Sequence, residues 1–182
     1  MTALSVSCHE GGPVLPGAGE DNWPVDPDTF RDAVGRFATG VTIVTTSGPG
    51  GSPAGFTCQA FMSLSTQPPR VLIAPGRESV TWSKIAESRA FCVNILSDSH
   101  EPIARRFAVR DDRKFEGVEW APSGATGSPV LRAAVAWVDC SLTDVFDLGD
   151  HFIAVGLARE AVTATQRTPL IYFRGEYMHP AC

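Results

Sequence analysis

The sequence lacks most of the short signatures that announce a chemistry. No Gly-x-Gly-x-x-Gly follows a strand-like run and no Gly-x-x-x-x-Gly-Lys-[Ser/Thr] occurs, so neither a Rossmann dinucleotide unit nor a P-loop is signalled. His-Glu-x-x-His and Gly-x-Ser-x-Gly are also missing, which removes the usual zinc and serine hydrolases. The four histidines, His9, His100, His151 and His179, are too scattered for a metal motif, so no metal site is expected. No apolar run approaches the ~18 residues of a membrane span. The chain does not open on a basic region followed by an apolar stretch, so a cytoplasmic protein without a secretory leader is expected. Fifteen lysines and arginines face 20 acidic residues, a formal charge of −5, which argues against nucleic acid as a partner. The five cysteines are odd in number and none forms Cys-x-x-Cys, consistent with reduced thiols. Cys92 and Cys140 read as small core residues inside strands.

What is present is enough for one domain: 182 residues, 43% of them hydrophobic. Residues 1–25 read as a flexible N-terminal tail, because the glycine- and proline-rich run 11–19 has no periodicity and buries little. Residues 26–180 read as the domain. Asp26 or Asp28 can cap a helix in which Phe30, Val34 and Phe37 recur at helical spacing, with Gly40 ending it. The β-branched run 41–46 and residues 53–58 form a hairpin around a glycine-rich turn. A short strand at 71–74 follows the turn at Gln67-Pro68-Pro69. Ser79 caps a helix with Trp82, Ile85 and Ala86 on one face. Residues 90–96 form a strand, 102–108 a short helix, and 111–128 a polar loop anchored by Phe115 and Trp120. The last third alternates through 134–146, turns at Leu148-Gly149-Asp150, returns through 151–162 and ends on a strand at 170–173. At least six strands with two or three short helices predict a closed or nearly closed antiparallel barrel.

Residues 55–65 leave a strand and enter small polar residues interleaved with apolar ones. Thr57, Gln59, Ser63 and Ser65 supply neutral hydrogen-bonding groups beside apolar neighbours. Such a bend suits a planar heteroaromatic ring such as an isoalloxazine. It is equally an ordinary strand-to-turn connection whose hydroxyls satisfy the backbone, and the pattern alone leaves both readings open.

Landmarks along the chain carry a resemblance. They are the run Phe30-Arg31-Asp32-Ala33-Val34-Gly35-Arg36-Phe37-Ala38-Thr39-Gly40 leading into the strand at 41–46, the segment 55–65 followed by Pro68-Pro69, Phe91-Cys92-Val93-Asn94-Ile95-Leu96, Lys114-Phe115, Gly127-Ser128-Pro129-Val130, Gly149-Asp150-His151 and Tyr172-Phe173-Arg174-Gly175. In this order, over residues 27–177, the sequence resembles the short-chain flavin reductases, the reductase components of two-component flavin-dependent monooxygenases. It is most similar to those serving aromatic and steroid-ring hydroxylases. The resemblance implies a mostly β (α+β) fold, a split antiparallel β-barrel with a few short peripheral helices, assembled as a homodimer. It implies NADH or NADPH reducing FMN or FAD, by hydride transfer from nicotinamide C4 to flavin N5. The reduced flavin would reach a partner oxygenase by contact or by diffusion.

Carried over residue by residue, Thr57, Cys58, Gln59 and Ala60 would lie along the isoalloxazine, Phe61 would belong to the same cofactor-binding stretch, and Ser63, Leu64 and Ser65 would continue toward ribityl chain and phosphate. Ser79 and Trp82 could close the site, since a helix N-terminus favours phosphate. Arg113, Lys114 and Phe115 would form a basic-aromatic element near the phosphate or adenylate end, or else belong to a solvated loop. His151, after Gly149 and Asp150, would position the nicotinamide, or cap its turn; no catalytic acid or base is expected, because the cofactors carry the chemistry. Tyr172 and Arg174 are second candidates for the dinucleotide, Arg174 being equally able to pair with a surface carboxylate. The sequence departs from the family at Cys58-Gln59-Ala60, where many relatives carry Ala, Asn and Ser: Gln59 can replace the amide, but Ala60 supplies no hydroxyl. The same barrel could also serve a non-catalytic flavin carrier or a pyridoxamine-oxidase-like flavin oxidase.

Overall fold

The computed structural model describes residues 8–9, 24–132, 134–163 and 168–179. In chain order the elements are β1 (Cys8–His9), α1 (Pro27–Val34), β2 (Thr39–Gly40), β3 (Thr42–Ser47), β4 (Pro53–Cys58), β5 (Phe61–Thr66), β6 (Pro69–Ile73) and α2 (Val80–Ser88). Then come β7 (Ala90–Ile95), α3 (Glu101–Ala108), β8 (Trp120–Pro122), β9 (Pro129–Leu131), β10 (Ala136–Leu148), β11 (His151–Thr163), β12 (Ile171–Phe173) and β13 (Glu176–Met178). Within the segment read as a tail, β1 pairs in parallel with Val145 and Phe146; the rest of residues 1–23 lies outside the described residues.

The main sheet runs β4-β3-β7-β10-β11-β6-β5 with antiparallel neighbours. Its two end strands, β4 and β5, are joined by only Gln59 and Ala60. Two residues cannot span an open seven-strand sheet, whose strands stand ~4.8 Å apart. The sheet therefore curls until its ends meet at that corner, while β4 and β5 form no ladder with each other. This is the split antiparallel barrel that the resemblance implies.

Two apolar clusters hold the barrel. One gathers Val44, Ile73, Trp82, Ile85, Phe91, Val93 and Leu142; the other gathers Val41, Ile43, Leu96, Phe107, Leu131 and Leu170 beneath α3. Strand β3 is buried from Thr42 to Thr46, so its hydroxyls need partners. Thr42 donates to Cys58 O, Thr45 to Pro129 O and Thr46 to Ala90 O. Fully buried Asp139 accepts from the Thr126 backbone N–H at 2.9 Å and its hydroxyl at 2.6 Å, tying down the long 111–128 connection. Cys92 and Cys140 are free and fully buried, as the strand reading expects. Burial pushes the Cys140 thiol up to about 12 and that of Cys92 higher still.

Several expectations need correction. The first helix stops at Val34, capped by Asp26, rather than reaching Gly40; Thr39 and Gly40 instead pair with β12. Residues 61–66 are a strand rather than a bend: β5 is an edge strand paired with β6, so solvent on one side tolerates its Ser-rich alternation. Residues 120–122 add a short strand to the expected loop, and β13 follows the expected last strand, making a second sheet β13-β12-β2.

Candidate functional site

A cleft of about 630 Å³ opens where four pieces of chain converge: β4, the loop entering α2, the end of α3 with the loop to Phe115, and the start of β11. That volume lies in the range of small-molecule sites. Gly55 decides the wall on β4. A Cβ there would stand 2.8 Å from the Phe107 ring, so only glycine lets that ring pack against the strand. The Gly55 carbonyl also accepts from the Thr81 hydroxyl and from Lys114 Nζ, each at 3.2 Å. Lys114 donates further to Phe107 O at 3.2 Å. The ammonium is thus drawn into a half-buried position, where desolvation lowers its pKa against the opposing pull of Asp111 and Asp112. Phe115 meets Phe107 edge-on, with centroids 4.9 Å apart, and continues the aromatic lining. Ser79 caps α2 by accepting from Trp82 N at 3.3 Å, so the first turn of this helix faces the cleft.

His151 stands at the mouth. Its Nδ1 lies 2.9 Å from Asp150 Oδ1, and the side chain stays 55% exposed, which leaves the ring available to a ligand. That hydrogen bond is the main cause that holds the Asp150 carboxyl below its ordinary value. His151 pairs with Gly76 across the cleft edge, and its Nε2 would lie only 3.7 Å from a Cβ at that glycine.

Of the residues expected at the site, Thr57, Ser79, Lys114, Phe115, Asp150 and His151 line this one cleft. Gln59 and Ala60 are exposed at the corner where the sheet ends meet, and Ser63 and Leu64 are exposed on β5. Ser65 is half-buried there and accepts from Gln67 N. These form an open edge and do not line the cleft of the single chain. Phe61 packs against the core. Cys58 is 4% exposed, its thiol directed at Ala60 O and pushed up by burial to about 11, so the thiol is not presented to the cleft. Trp82 is buried and stacks on Phe152, with centroids 5.1 Å apart. Arg113 is exposed and pairs loosely with Asp111. Gly149 makes the turn before His151 at φ 87°, a conformation glycine adopts without strain. Tyr172 and Arg174 are not brought to the cleft. Tyr172 lies on β12 of the second sheet and packs edge-on against Tyr177, and Arg174 lies in the β12–β13 turn, where its N–H donates to Gly35 O.

Arg77, Glu78, Lys84 and Arg110 line the cleft although the sequence reading did not select them. The available signal was position: Arg77 and Glu78 precede the Ser79 cap, and Lys84 is one turn beyond Val80 on the helix it opens. The lining joins aromatic faces (Phe56, Phe107, Phe115) to cationic groups (Arg77, Lys84, Arg110, Lys114) and a helix N-terminus, with the carboxylates Glu78, Asp111, Asp112 and Asp150 among them. That donor set fits a planar ring carrying an anionic tail, as in a flavin nucleotide. No cluster of histidine, cysteine and acidic residues suited to a metal occurs among the described residues. No helix among them is long and apolar enough to cross a membrane.

Comparison with known proteins bears on this geometry. The family described as flavin reductase like domain matches residues 34–181. The reductase subunit HsaB of a flavin-dependent monooxygenase from Rhodococcus jostii is 43% identical over 153 residues, spanning 84% of this chain and 77% of its own. Nitrilotriacetate monooxygenase component B from Mycobacterium thermoresistibile superposes with a TM-score of 0.79 at 43% identity, over 83% of this chain and 84% of that one. The NADH:FAD oxidoreductase SgcE6 of Streptomyces globisporus, solved with NAD and FAD fragments, gives a TM-score of 0.81 at 32% identity, over 86% of this chain and 96% of that one. A barrel split at the 59–60 corner, a cleft suited to a flavin nucleotide and these relatives agree: the chain belongs to the flavin reductase like family.

Proposed function

We propose that this protein is an NAD(P)H-dependent reductase of FMN or FAD that supplies reduced flavin to a separate oxygenase. The carrying observation is the cleft in which Thr57, Lys114 and Phe115 meet the α2 N-terminus, with His151 at its mouth. Thr57, Phe115 and the Ser79 turn would hold the flavin nucleotide, Lys114 would supply a cation for its phosphate, and the edge from Gln59 to Ser65 would extend that surface. When both are bound, the nicotinamide supplies a hydride and the flavin accepts it. The protein's task is then orientation and electrostatics, and no side chain need move a proton. His151 orients the dinucleotide through its exposed ring.

The same reading includes a homodimer. Phe30, Val34 and Phe37 around α1, and Met62 and Leu64 on β5, are 48–77% exposed, an amount of apolar surface that a second copy would cover. Cytoplasmic localisation, a single domain over 26–180 and an oxygenase acting on an aromatic or steroid ring complete the proposal. The test is to mix purified protein with NADH and excess FMN or FAD and follow nicotinamide absorbance. Sustained turnover supports the reductase. One stoichiometric event identifies a flavin carrier, and no oxidation favours a flavin oxidase. Sedimentation velocity checks the dimer.

A further inference from the structure

Arg77 lines the cleft without an assigned role in the reading above, and it makes several contacts with the turn that carries His151. Its Nε donates to Gly149 O at 2.8 Å, its Nη2 to the Asp147 carboxylate, and its backbone N–H to Asp150 O at 2.8 Å. Its guanidinium lies over the Phe152 ring at 5.1 Å, and Phe152 in turn stacks on Trp82 of α2. Phe152 N donates to Pro75 O at 2.9 Å, and Gly76 bridges His151. The residues before and after His151 are therefore pinned to the loop that opens α2. The side chains of Arg77 and Asp147 are 46% and 47% exposed, and an ion pair so placed contributes little to stability. Its consequence is geometric: it fixes the β10–β11 turn relative to the cleft.

We propose that Arg77 is a positioning residue that holds His151 in register with the cleft, so that its loss weakens dinucleotide affinity more than flavin affinity. This rests on the reading that His151 orients the nicotinamide. A guanidinium suits the task, because its planar fork bonds a carbonyl and a carboxylate together, whereas a lysine ammonium cannot reproduce that geometry.

The test compares Arg77→Ala, Arg77→Lys, Asp147→Ala, His151→Ala and the double variant Arg77→Ala/His151→Ala. KM for NADH is read in steady-state turnover, and the FMN dissociation constant by fluorescence titration. Arg77→Ala is expected to raise KM for NADH about fivefold with FMN affinity within about twofold. Arg77→Lys should recover part of the loss. Asp147 is one of several partners of Arg77 on that turn, so Asp147→Ala should shift KM the same way by a smaller factor. In the His151→Ala background, Arg77→Ala should add nothing, the signature of one residue acting through the other. An additive effect there, an unchanged KM in Arg77→Ala, or FMN affinity falling in step with KM each overturns the inference while leaving the role of His151 standing. If His151→Ala alone leaves KM unchanged, the reading of His151 fails and the inference with it.

Discussion

Thr57 on β4 donates its hydroxyl hydrogen to the backbone carbonyl of Ala104 on α3 at 2.6 Å. With that hydrogen committed, the hydroxyl faces the cleft with lone pairs alone and can only accept. One contact thus ties the helix to the strand and fixes the polarity of a ligand contact. Thr57→Val should raise the FMN dissociation constant about fivefold, from a lost hydrogen bond of ~1 kcal/mol, and lower the unfolding midpoint as well. Thr57→Ser should retain both. Fluorescence titration paired with thermal unfolding separates the roles: a lower midpoint with unchanged FMN affinity would make Thr57 purely structural.

His151→Ala is expected to raise KM for NADH several-fold while FMN affinity stays nearly unchanged, because the ring stands at the cleft mouth and hydrogen-bonds through Nδ1 to exposed Asp150. Equal weakening of FMN in an equilibrium titration would move His151 from the dinucleotide to the flavin.

Lys114 gives the site a pH dependence. Burial disfavours its cation, so its pKa lies below the ordinary 10.5 and the charge is lost at lower pH than on a free lysine. FMN affinity should therefore fall on the alkaline side with a midpoint below 10.5. By linkage the unfolded chain binds more protons between the folded and ordinary values, so folding stability rises with pH through that window. Lys114→Arg should keep FMN affinity flat across it, and Lys114→Met should be weak and flat throughout. The measurement is the FMN dissociation constant from pH 7 to about 10.5, the ordinary lysine value.

Gly156 on β11 tests the core. A Cβ there would come within 2.5 Å of the Phe91 ring and 2.8 Å of Cys140 Cβ, both fully buried. Gly156→Ala should destabilise the fold by ~1–3 kcal/mol through overpacking. Urea unfolding would show it as a lower midpoint at an unchanged slope. An unshifted midpoint would mean that β10 and β11 can part at no cost.

Much of the fold was legible in local pattern. The β-branched run of β3, the Ser79 cap of α2 and the β10–β11 hairpin around Gly149 appear where composition and spacing put them. The errors fall where tertiary position overrides pattern. β5 reads as a polar bend because its hydroxyl residues alternate with Met62 and Leu64 at a sheet edge where most side chains stay exposed, and the first helix ends early because residues 39–40 are claimed by pairing with β12.

The residue types of the site, their order and the family they resemble were determined by the sequence itself, since glycines, caps and the 55–65 segment act locally. Only the tertiary structure decided which of them share a cleft. It brought Thr57, Lys114 and His151 together, turned the Cys58 thiol and Trp82 into the core, sent Tyr172 and Arg174 to the β12–β13 hairpin, and added Arg77 and Arg110. The reason is physical. A barrel closes through pairings between strands far apart in sequence, and which side chains converge at its mouth depends on the curl and register of the whole sheet.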